Sequence, residues 1–134
     1  MKIELYDTIA GEKLRADVWI FGSLDEMYKA CEEYEKYFKI DKHGSNYLGV
    51  TYSSFNQKPD CSIVYLCMEE LKLSVVMHEL LHVSMNMHKT AYMTEELTLH
   101  KDLDIEESIA TTQTNLFYQL YDDLMRRDAL PLPI

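Results

Sequence analysis

Val76-Met77-His78-Glu79-Leu80-Leu81-His82 sets an H-E-x-x-H pentapeptide inside an apolar, helix-compatible run. On a helix, His78 and His82 stand one above the other on the same face, four residues apart. Two imidazoles stacked this way can share one Zn²⁺. Glu79 falls about 100° round the helix from His78, beside the metal, where a carboxylate can take a proton from metal-bound water.

Around the pentapeptide the spacing predicts a helix over 69–88. Leu73, Val76, Leu80, Val83 and Met87 share the face opposite the histidines. Leu71, Val75, Leu81 and Met85 flank the histidines on their own side. A helix apolar on both faces is expected to be buried on both, between a core and a walled cleft.

Working outward, residues 47–55 and 61–67 are rich in strand formers and are separated by Asn56-Gln57-Lys58-Pro59-Asp60, a turn composition. They are expected to pair as a hairpin. Cys61 and Cys67 would then share one face of a strand. Residues 2–9 and 13–21 read as strands joined by a turn at Ala10-Gly11-Glu12. Ser23-Leu24-Asp25-Glu26 is a capping box, with Met27, Tyr28, Cys31, Tyr34 and Phe38 at helical spacing behind it. It predicts a scaffold helix over 24–39. His43 lies in a loop at 41–46 and reads as a surface histidine. Residues 89–101 read as an irregular loop. Asp102 or Asp104 can cap a last helix that runs to about Arg126, and Ala129-Leu-Pro-Leu-Pro-Ile reads as an extended tail.

The chain has 134 residues, enough for one domain spanning 1–134. Its net charge of −10 argues against nucleic acid as a direct partner and leaves a basic protein partner open. No apolar run is long enough to span a membrane, and no secretory leader pattern opens the chain. Three cysteines without C-x-x-C spacing fit buried thiols in a cytoplasmic protein.

Catalytic zinc usually has three protein ligands and one water, so His78 and His82 need a third. His88 completes the histidine spacing of the metzincin pattern, but Met85 stands where that pattern has glycine. Six helical residues rise about 9 Å, so the chain would have to turn sharply to bring His88 back. Glu106 and Glu107 open the last helix and offer a carboxylate instead.

His78-Glu-Leu-Leu-His82 followed by Glu107-Ser-Ile-Ala110 resembles the gluzincins, and among them the small phage- and prophage-associated metallopeptidases of minigluzincin type. The resemblance covers roughly residues 47–125. It implies a zincin-like α+β fold, in which a small mixed or antiparallel sheet packs with a scaffold helix, the H-E-x-x-H helix and a C-terminal helix. It further implies that Glu107 is the third ligand to Zn²⁺, with Glu106 as the fallback.

The expected activity is hydrolysis of a peptide or protein substrate, with Glu79 as general base to a metal-activated water. The resemblance also implies that a strand near 61–67 holds the substrate by backbone bonds. Tyr92 and His100 stand where an oxyanion donor could come from. The rival expectation is a zinc-stabilised acidic binding module, or a phage-encoded inhibitor of a host protein, without catalysis. A purely structural zinc site is a third.

Overall fold

The computed structural model describes residues 1–40, 47–53, 60–92 and 103–128. Strands β1 (Lys2–Ile9) and β2 (Glu12–Phe21) are followed by helix α1 (Leu24–Phe38). Then come β3 (Gly49–Ser53), β4 (Asp60–Cys67), a single 3-10 turn at Met68–Glu70, and helices α2 (Leu73–Ala91) and α3 (Leu103–Arg126). The expected loop at 41–46, the part of the 89–101 loop beyond Tyr92, and the tail, with His43 and His100, lie outside the described residues, as does the Asp102 cap; residues 89–91, expected as loop, continue helix α2.

The sheet runs in the order β1-β2-β4-β3. β1 and β3 pair antiparallel with their neighbours, whereas β2 and β4 are parallel, so the sheet is mixed. Among the described residues the architecture is therefore α+β in general terms, with three α-helices and a four-stranded mixed sheet.

Local chemistry explains the element ends. Ala10 and Gly11 both have positive φ, 51° and 77°, between the paired residues Ile9 and Glu12. This is a two-residue hairpin loop of the kind whose twist matches the strands, and Glu12 already belongs to β2. At the start of α1, Ser23 Oγ accepts from the Glu26 amide at 3.2 Å. Glu26 reaches one residue further back than a standard box, accepting from the Gly22 amide at 3.1 Å.

Strand alternation divides the core between the two sheet faces. On one face Leu5, Leu14, Val18, Val64 and Leu66 meet Val76, Leu80, Val83 and Met87 of α2 and Leu116, Leu120 and Leu124 of α3. On the other, Val50, Tyr52 and Cys67 meet Met27 and Cys31 of α1. The pairing of β2 with β4 skips Cys61, passing from Arg15–Asp60 to Ala16–Ser62. That bulge turns Cys61 into the α2/α3 core, while Cys67 lies in the α1 core. The two thiols therefore do not share a face, because a bulge resets the alternation on which that expectation rested.

Candidate functional site

The site is built where β3 meets α2. Gly49 opens the strand, and a Cβ there would stand 2.9 Å from Leu66 Cδ2 and 3.1 Å from both Glu79 Cγ and Val75 Cγ1. The missing side chain lets α2 close on β3 at this point. Two residues on, Thr51 Oγ1 donates to Glu79 Oε1 at 2.8 Å. Glu79 is 5% exposed. Its other oxygen, Oε2, lies 4.0 Å from His78 Nε2, beyond hydrogen-bond distance.

Beside this carboxylate is a cleft of about 300 Å³, lined by Tyr47, Leu48 and Gly49 on the strand side and by Ser74, Val75, His78 and Glu79 on the helix side. His78 lines this cleft, and His82 follows one helical turn later, exposed. Their Nε2 atoms are 3.2 Å apart and their rings meet edge to face, with centroids 4.8 Å apart. At that distance a neutral pair hydrogen-bonds to itself, one Nε2–H donating to the other ring's lone pair.

α2 is not buried on both faces. Val76, Leu80, Val83 and Met87 are buried, but Leu81 is 40% exposed and His82 is exposed. Of the apolar residues flanking the histidines, Leu71 is buried in the core and Val75 and Met85 are half-buried, whereas Leu81 faces solvent.

The described residues do not bring a third ligand to the two histidines. Glu107 lines a separate cleft with Asp7, Thr8, Ile9, Ser108 and Thr112, between β1 and α3. His88 is fully buried, with Nδ1 2.7 Å from the Ser84 carbonyl and Nε2 2.8 Å from Ser108 Oγ. The carbonyl can only accept, so Nδ1 carries a hydrogen and His88 serves as a clasp between α2 and α3. Glu106 is exposed. Among the described residues, no group of three or more His, Cys, Asp or Glu comes together that could hold a metal ion.

The expected Zn²⁺ site is corrected on that ground. With it go the metal-activated water, the zinc peptidase and the zinc-stabilised module, since each needs a ligand set that the described residues do not form. The oxyanion role considered for Tyr92 loses its chemistry. Tyr92 instead caps α2, its amide donating to the His88 carbonyl at 3.0 Å.

A second correction concerns the strand expected to receive a peptide. β4, residues 60–67, lies inside the sheet with β2 on one side and β3 on the other. Its backbone is committed on both edges. Among the described residues, β3 is the strand at the sheet's margin on this side.

The other margin, β1, is treated differently. The Gln119 side chain of α3 accepts from the Tyr6 amide at 2.9 Å through Oε1 and donates to the Tyr6 carbonyl at 2.7 Å through Nε2. One side-chain amide thus takes the place that a neighbouring strand's peptide group would hold. Thr51 and Gln119 were not visible as site or edge residues in the sequence. Their partners lie 28 and 113 residues away, and no local spacing marks them.

No family model, no curated protein and no solved structure matches the chain. The gluzincin and minigluzincin resemblance and the zincin-like fold it implied are therefore corrected to a small α+β domain with a mixed four-stranded sheet.

Proposed function

We propose that this chain is a peptide-binding module that takes an extended segment of a partner protein as an added strand on the outer edge of β3. The observation that carries this reading is the unequal treatment of the two sheet margins. Gln119 satisfies the β1 edge at Tyr6. β3 has β4 as its one strand neighbour among the described residues, and it runs beside an open cleft.

A five-residue edge strand offers main-chain donors and acceptors pointing outward at alternate positions. An incoming peptide satisfies them and gains affinity from the backbone, while neighbouring pockets supply specificity. Ser74, His78 and Glu79 form the polar side of that site, with Glu79 as a binding group.

The net charge of −10 favours a basic partner segment and disfavours nucleic acid. Among the described residues, no helix is long and apolar enough to cross a membrane. The three free, buried cysteines support a place in a reducing compartment such as the cytoplasm.

The test uses a blocked pentapeptide, Thr-Val-Arg-Val-Thr, and two backbone N-methylated versions, at the odd or the even residues. Strand addition requires that at least one N-methylated version lose binding while the parent binds. Equal binding of all three would refute it, because side-chain docking alone does not need the amide donors.

A further inference from the structure

Resting on the strand-addition reading, we infer that the cleft at the start of β3 selects a basic side chain, arginine or lysine, with Glu79 Oε2 as its counter-ion. Glu79 is a carboxylate within the fold that is only half satisfied. Its Oε1 is held by Thr51 at 2.8 Å, whereas among the described residues the ionisable group recorded near Oε2 is His78 Nε2, at 4.0 Å. Glu79 is 5% exposed, and Oε2 is not one of the described side-chain atoms buried without a partner, so what remains open on this carboxylate is reachable from solvent. Glu79 also lines a cleft of about 300 Å³ that Tyr47, Leu48 and Gly49, at the start of β3, line from the strand side.

The shape of the cleft suits a long cationic side chain. Val75 and Tyr47 line it and offer apolar surface to a methylene stem, with the carboxylate available to the charged head. The histidines do not compete by geometry, since His78 and His82 turn their Nε2 atoms towards each other at 3.2 Å. Successive side chains of an added strand alternate between the two sheet faces, and Gly49 and Thr51 mark the face on which Glu79 lies. Every second peptide side chain therefore projects on this face, and the one nearest Gly49 is placed to enter the cleft. Arginine is the better fit of the two basic residues, because its planar fork can bond Oε2 while remaining weakly hydrated.

The experiment compares Thr-Val-Arg-Val-Thr with the same peptide carrying citrulline, the neutral isostere of arginine, in the full chain and in Glu79→Gln. Binding is read by calorimetry and by amide exchange over β3. The expected result is about tenfold weaker binding of the citrulline peptide to the native chain, with the difference abolished in Glu79→Gln. The preference should also shrink as salt rises. Equal binding of both peptides to the native chain, with β3 still protected, would overturn the selection by Glu79 and leave strand addition standing. Absence of any β3 protection by either peptide would overturn both. The citrulline comparison needs no protein variant, so it decides the point even if Glu79→Gln folds poorly.

Discussion

Thr51 on β3 holds Glu79 on α2, hydroxyl to carboxylate, at 2.8 Å. The pair joins the edge strand to the helix and fixes which oxygen of Glu79 is left for a ligand. Removing the donor leaves a buried carboxylate without its hydrogen bond, at a cost of about 1.5–3 kcal/mol for a bond to a charged group. Thr51→Val is therefore expected to lower unfolding free energy by about that amount in urea melts, and Thr51→Ser, which keeps the hydroxyl, by far less. Equal losses for the two variants would mean that packing, and not the hydrogen bond, sets the value of this site.

Gln119 covers the β1 edge through two bonds to Tyr6. Gln119→Ala frees both backbone groups to solvent. The expected loss is about 1–3 kcal/mol for two hydrogen bonds, with faster exchange at the Tyr6 amide. Concentration-dependent association should rise as well, because an uncovered edge is a template for pairing. Unchanged exchange at Tyr6 would show that the side-chain amide does not protect that edge.

Ala10 sits at φ 51° in the first loop position of the β1–β2 hairpin. A side chain with a Cβ is disfavoured there, and asparagine is tolerated better. Ala10→Asn should stabilise the fold by about 0.5–1 kcal/mol, seen as a higher midpoint in thermal melts. A lower midpoint would contradict the left-handed geometry at this residue.

These three relationships also show what the sequence could carry. The hairpin at Ala10-Gly11 and the cap at Ser23 are local patterns and appear in the structure within a residue or two, whereas the alternation expected through 61–67 is broken by the bulge at Cys61. The H-E-x-x-H stretch correctly predicted a helix with His78 and His82 adjacent. Chemistry failed to follow because a metal site is a long-range property. Whether Glu107 reaches the histidines depends on how α3 rotates against the sheet, and that is set by Leu116, Leu120 and Leu124 entering the core. Glu107 turns to the cleft beside Asp7 instead. The parallel pairing of β2 with β4, which buries the strand expected to bind peptide, is likewise absent from any local spacing.

Alkaline pH should weaken the fold. Burial raises the Cys61 thiol from 9.0 to about 12 and the Tyr65 phenol from 10.0 to about 12. Burial also raises Tyr52, reinforced by its hydrogen bond to Glu35, and raises Tyr47. Each folded-state value lies above the unfolded one, so the native state holds more protons in between. Their contribution is complete below the unfolded values and is lost as pH rises through the folded ones. The slope is at most about 1.4 kcal/mol per pH unit for each group. Urea midpoints should fall steadily from about pH 9 upward; a midpoint flat between pH 8.5 and 11 would contradict the burial of these groups.

The most direct measurement of the central claim is residue-resolved amide exchange of the full chain with and without Thr-Val-Arg-Val-Thr. Strand addition on β3 requires slowing of about tenfold or more at alternate amides within Gly49–Ser53, with no comparable change at the β1 edge beside Gln119. Exchange over Gly49–Ser53 that is unchanged at saturating peptide would contradict it.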